Sequence, residues 1–149
     1  MVIGLETDEE SEPRKYKYCV RLLIKHPHID PARITHALGL HPNRSAIAGS
    51  VRETPTGTVL PGTHTVSSWS HWFDVEGNRL FFADIEKMIN RLEPHKAFLA
   101  EIADGGGSIE LILHLPGDIN IGDSFPWRDL ARLSNLHIDL GIEVFPDMH

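Results

Sequence analysis

Three stretches of the chain alternate apolar and polar residues with period two. In the first, Tyr16, Tyr18, Val20, Leu22 and Ile24 fall on one side, against Lys17, Cys19, Arg21, Leu23 and Lys25. In the second, Ile109, Leu111, Leu113 and Leu115 oppose Ser108, Glu110, Ile112 and His114. In the third, Ile138, Leu140, Ile142 and Val144 are expected to face inward, and His137, Asp139, Gly141 and Glu143 outward. One apolar face at this period predicts half-buried strands.

Elsewhere the period is helical. Asp30-Pro31 supplies an N-cap and a first-turn proline, Ile34, Ala37 and Leu38 form a short stripe, and Gly39 is the expected C-cap. From Leu80 to Leu92, Phe81, Ile85, Met88 and Leu92 recur at i, i+4, i+7 and i+11. Pro94 kinks that helix or starts a second one, whose apolar side is Phe98, Leu99 and Ile102 and whose stop is Gly105-Gly106-Gly107. Ser124 is the expected cap of a last short helix carrying Trp127, Leu130 and Leu133. Residues 41–68 are broken by Pro42, Gly49, Pro55, Gly57, Pro61 and Gly62. They read as a weak strand near 50–54, a hairpin at Thr54-Pro55-Thr56-Gly57, and a strand near 67–75. In that strand Trp69, His71, Phe73 and Val75 share one face and Ser70, Trp72 and Asp74 the other, so one tryptophan belongs to the core and the other to an open or loop-covered face.

The first six elements follow the split βαβ, or ferredoxin-like, pattern, with a further helix and strand at the C-terminal end. Half-polar strands place helices on one face of a mostly antiparallel sheet of four or five strands. The expected organisation is an acidic, disordered tail over residues 1–13 and a single α+β domain over residues 14–149.

Charge sharpens this picture. The chain has 149 residues, 14 bases and 21 acids, hence a net charge of −7. Residues 1–13 carry −5, residues 14–52 carry +7 and residues 53–149 carry −9. The basic segment either packs against the acidic body and is neutralised, or faces a partner. Net acidity argues against sequence-independent binding of nucleic acid, which depends on Lys and Arg at phosphates. No apolar stretch approaches the ~20 residues of a membrane span, and the start lacks the basic region of a signal peptide. With a single Cys19 there is no disulfide framework, and a cytoplasmic location is expected.

Chemistry has few places to sit. H-E-x-x-H, C-x-x-C, G-x-S-x-G, Walker and G-x-G-x-x-G patterns are absent from the sequence. His26-Pro27-His28 has chelating spacing without a third ligand, and no metal or cofactor is expected. Lys17 and Arg21 beside Cys19 could lower the pKa of its thiol, but with no resolving Cys and no clear His–Asn partner it is not expected to act as a nucleophile. The outer sheet face should carry Lys17, Arg21, Lys25, Glu110, His114, His137, Asp139 and Glu143. A second candidate is the helix end and turn through His41, Asn43, Arg44, Ser45 and Gly49, where an exposed arginine suits an anion or carboxylate. A third is Trp69, His71 and Trp72.

The run Ile34, Leu38-Gly39-Leu40, Pro42, Arg44-Ser45 and Gly49, followed by Trp69 in a strand and a helix ending Leu92-Glu93-Pro94, resembles the bacterial family catalogued as domain of unknown function 4279. The resemblance spans roughly residues 16–145. It implies a small α+β domain, marks Arg44, Ser45, Gly49 and Trp69 as a shared patch, and supplies no activity. Relative to that pattern, residues 55–64 form a long insertion. The expected function is a non-enzymatic binding or protein-interaction module, of immunity type in one version, meeting a protein partner or a small anionic ligand. The alternative is a sensor or enzyme built on Arg44, His41, His71 and Trp69. A homodimer paired through Ile138–Phe145 follows if that strand lies at the sheet margin.

Overall fold

The structure is a computed structural model that describes residues 18–75 and 80–146. The tail over residues 1–13 lies outside the described residues. Strand β1 (Cys19–His26) leads into helix α1 (Pro31–Leu38), and short strand β2 (Arg44–Ala46) follows. Strands β3 (Val51–Glu53) and β4 (Val59–Thr63) form a separate hairpin before β5 (Ser67–Phe73). Helix α2 (Phe81–Leu92), a 3-10 turn at Glu93–His95 and helix α3 (Lys96–Asp104) precede β6 (Ser108–Pro116). Helix α4 (Trp127–Asn135) and β7 (Ile138–Phe145) complete the described elements.

The main sheet has five strands in the order β2-β5-β1-β6-β7. All neighbours are antiparallel except β6 and β7, which are parallel. Period two decides which side chains face the helices, although in β6 the outward Ile112 and His114 are buried as well. Val20, Leu22 and Ile24 of β1, Trp69 and Phe73 of β5, and Ile109, Leu111 and Leu113 of β6 join the helices in one buried cluster. Burying each large aliphatic side chain there contributes about 1.5–3 kcal/mol. The helices supply Ile34 and Leu38, Ile85 and Leu92, Leu99 and Ile102, and Leu133.

Local rules explain α1 well. The Asp30 side chain accepts from the Ala32 N–H at 2.9 Å, Pro31 occupies the first turn, and Gly39 ends the helix with φ +66°. Its N–H donates to the Thr35 carbonyl at 2.9 Å, a left-handed cap that a side chain would strain. Helix α4 departs from expectation. It begins at Trp127 after an extended Pro126 with ψ 145°, and Ser124 does not cap it. Asp123 is engaged instead, accepting from the Ser124 N–H at 2.8 Å and from the Phe82 N–H at 3.1 Å, in the first turn of α2. The third alternating strand also departs in its second half. Ile142 and Val144 were expected inward, but they are 54% and 60% exposed, because they lie on the marginal strand. Finally, the strand expected near 50–54 belongs to the separate hairpin, and Arg44–Ala46 is the strand that borders β5.

Candidate functional site

The outer face of the sheet, opposite the helices, holds a cavity of about 520 Å³. Strand β1 contributes Arg21, Leu23 and Lys25 to its lining, β2 contributes Arg44, Ser45 and Ala46, and β5 contributes Ser68 and Ser70. The hairpin region supplies the facing wall with Ser50, Val51, Glu53 and His64. The loop is closed at its base by backbone hydrogen bonds from Gly49 N–H to the His64 carbonyl (2.8 Å) and from His64 N–H to the Ser50 carbonyl (2.9 Å).

Alternation and pairing place the cations together. Arg21, Lys25 and the two serines occupy the outward phase of β1 and β5, and Arg44 is the register partner of Ser70. Among the described residues, three fixed cations against the single carboxylate of Glu53 give the lining a charge of +2. No ion pair among the described residues uses Arg21, Lys25 or Arg44. The Nε of Arg21 is buried and lacks a hydrogen-bond partner among the described residues. A buried donor left unpaired costs about 1–3 kcal/mol, and more when charged. The Arg21 guanidinium also stacks 5.3 Å from the Trp72 ring centroid, which fixes its orientation beside the cavity.

The residues singled out in the sequence divide between the two faces. Arg44 and Ser45 line the cavity. Trp72, 39% exposed, lies on the same outer face, 4.9 Å from the His114 ring. Asn43 holds the loop to β5: its N–H donates to the Ser70 carbonyl (2.8 Å), and its Oδ1 accepts from the Trp72 N–H (2.7 Å). Gly49 sits at φ +85° in the loop that carries the hairpin. Trp69 is completely buried on the helix side, with its Nε1 donating to Thr35 Oγ1 at 3.0 Å. His71 stacks against Trp69 and contacts the His41 carbonyl through Nδ1 at 2.6 Å. Trp69 and His71 therefore organise the core side, and Arg44 does not share their face.

Further along the outer face, His114 Nδ1 lies 3.2 Å from Glu143 Oε2, a contact that the parallel register of β6 and β7 brings about and that is an ion pair only when His114 is protonated. Burial pushes the His114 pKa down, with Arg21 acting in the same direction and Glu143 opposing. Its Nε2 is buried and unpartnered among the described residues. Cys19 is the register partner of His114, but burial pushes its thiol pKa up. Burial thus acts against any lowering by nearby bases: half-buried sulfur loses hydration that a thiolate needs. His26 has a local task, accepting from the N–H groups of His28 (3.1 Å) and Ile29 (2.9 Å) through Nδ1. Among the described residues no three His, Cys, Asp or Glu side chains are grouped to hold a metal, and no helix is long and apolar enough to cross a membrane.

Arg21 and Lys25 join the site through a signal already present in the sequence, the outward phase of β1. Ser50, Glu53 and His64 carried no such signal, because only the folding of the hairpin over the sheet brings them there. The chain belongs to the family described as Domain of unknown function (DUF4279), whose match covers residues 14–144. No curated protein and no solved structure matches the chain.

Proposed function

We propose that this family member is a non-enzymatic binding module that takes a small anion, a carboxylate or a phosphate, into the cavity between the outer sheet face and the hairpin. The observation that carries the reading is Arg21, whose Nε is buried without a hydrogen-bond partner among the described residues, beside Lys25 and Arg44, which no ion pair among those residues uses. An anion bridging Arg21 and Arg44 would satisfy the planar donors of both guanidinium groups. The serines and His64 add neutral donors, and Glu53 selects against ligands with bulky negative charge near the hairpin.

The framework supports this reading. The order β2-β5-β1-β6, antiparallel throughout, agrees with a split βαβ, ferredoxin-like core whose outer face is left free of helices. The hairpin and the α4–β7 unit are additions to that core. A protein partner is the second reading. It is favoured by exposed Trp72 beside Arg21, an aromatic anchor next to a pocket that would receive an acidic side chain.

A thermal-shift series with inorganic phosphate, sulfate and succinate tests the first reading. At 100-fold excess over Kd a bound anion stabilises by about 2.7 kcal/mol. For a chain of this size that raises the midpoint by several degrees. Arg44→Gln and Arg21→Gln should each abolish the rise while retaining a cooperative melt. No rise with any of the three anions sinks the small-anion reading.

A further inference from the structure

We infer that two copies of the chain associate through β7, extending the five-stranded sheet across a two-fold axis at Ile142. Strand β7 is the margin of the sheet, and among the described residues it pairs with β6 alone. The two margins differ sharply. Strand β2 has three residues, a length too short to template pairing, whereas β7 has eight residues without proline or lysine. Ile142, Val144 and Phe145 on β7 are all exposed. Long, apolar and unprotected edges are the ones on which another strand adds.

The backbone phase shows which groups are free. The Phe145 carbonyl accepts from the Gly117 N–H at 2.7 Å, so Phe145 directs its polar groups toward β6. Alternation then turns those of Leu140, Ile142 and Val144 to the open edge. An antiparallel copy can therefore form hydrogen-bonded pairs only among these even positions.

Charge selects the register. A two-fold axis at Gly141 sets Asp139 opposite Glu143 of the other copy, and an axis at Glu143 sets that carboxylate against itself; like charges directly opposite are unfavourable. An axis at Ile142 avoids both and, unlike one at Leu140 or Val144, overlaps almost the whole strand, residues 139–145. It pairs Ile142 with itself, Leu140 with Val144 and Asp139 with Phe145, and it puts Glu143 opposite Gly141. Glu143 is moreover already paired with His114 in its own copy. This register covers both exposed aliphatic residues, and it is isologous, so pairing stops at two copies.

Light scattering on the full chain across a dilution series, with far-UV circular dichroism as the folding control, measures the association. The expected mass is twice 16.7 kDa. Ile142→Pro removes an N–H that β6 does not use, a position where an edge strand tolerates proline. Both Ile142→Pro and Ile142→Lys should halve the mass with the circular dichroism unchanged, and Val66→Lys, at another exposed site, should not. In a Cys19→Ser background, Ile142→Cys should cross-link to itself on oxidation, because hydrogen-bonded partners stand about 5.5 Å apart, within disulfide reach. A wild-type chain that is monomeric at every concentration, an Ile142→Lys chain that stays dimeric, or an Ile142→Cys chain that does not cross-link overturns the proposal.

Discussion

His26 illustrates why residue identity alone misleads at the smallest scale. Its spacing with His28 resembles a chelate, yet its Nδ1 is occupied by two backbone donors that shape the turn after β1. Those bonds need an unprotonated Nδ1. Burial, then the neighbouring His28 and Arg33, lower the pKa of His26, with Glu101 opposing. His114 is lowered for the same first reason. The sign follows from linkage: the unfolded chain binds these protons more readily than the folded one, so stability rises with pH. The contribution is fully present above the ordinary histidine value of about 6.5 and is lost as pH falls through the lowered folded values. The urea midpoint should therefore fall between about pH 7 and pH 5. In His26→Asn the side-chain oxygen keeps an acceptor for the turn and does not titrate, so that fall should be shallower. Equal slopes for the two proteins would exclude His26 from the effect. The two tryptophans show the opposite case, because strict alternation alone separates buried Trp69 from exposed Trp72. No such rule revealed that burial pushes the Cys19 thiol pKa up.

At the level of elements, legibility follows the range of the forces involved. Strands β1 and β6 and helix α1 were readable because their period and caps are written within the element. Strand β2 was not, since three residues, two of them exposed, carry no period and gain their ladder only from β5. The start of α2 was not fully readable either: it has no side-chain cap of its own and receives one from distant Asp123. The hairpin was expected, but which residues it brings to the sheet was not legible, because Ser50, Val51, Glu53 and His64 meet the sheet only in three dimensions. The hairpin ladder is self-contained, β3 pairing with β4 and with no strand of the main sheet. Removing residues 51–63 and joining Ser50 to His64 therefore leaves the buried cluster whole, since none of its members lies in that segment. The shortened chain should keep its far-UV spectrum and cooperative melting, with phosphate or succinate affinity reduced more than tenfold. Undiminished affinity would show that the hairpin is not a wall of the site.

For the whole molecule the net charge of −7 points the wrong way for the proposed anion binding, and the placement of the cations bears on that discrepancy. Three of the eight bases of residues 14–52 are gathered in one place, where Arg21, Lys25 and Arg44 share a cavity. The sequence showed the imbalance between segments but could not show whether the acidic body neutralises it, because that depends on which strands become neighbours. The nearest partners of β1 on the outer face are Ser68, Ser70 and Trp72 on one side and Glu110, Ile112 and His114 on the other. Glu110 is the only carboxylate among them. Salt distinguishes the two fields acting on a ligand. Repulsion by the distributed negative charge is long-range, and it weakens with salt over the Debye length of about 10 Å at 0.1 M. If that field governed binding, anion affinity would rise as salt is added. If the local charge of +2 governs it, affinity falls with salt, because screening weakens attraction to Arg21 and Arg44 more than it relieves the diffuse repulsion. Titration calorimetry with succinate at increasing sodium chloride should show falling affinity in the wild type. Arg44→Gln, which halves the lining charge to +1, should bind more weakly and with a flatter salt dependence. An affinity that rises with salt in both proteins would mean the cavity's cations are neutralised in solution.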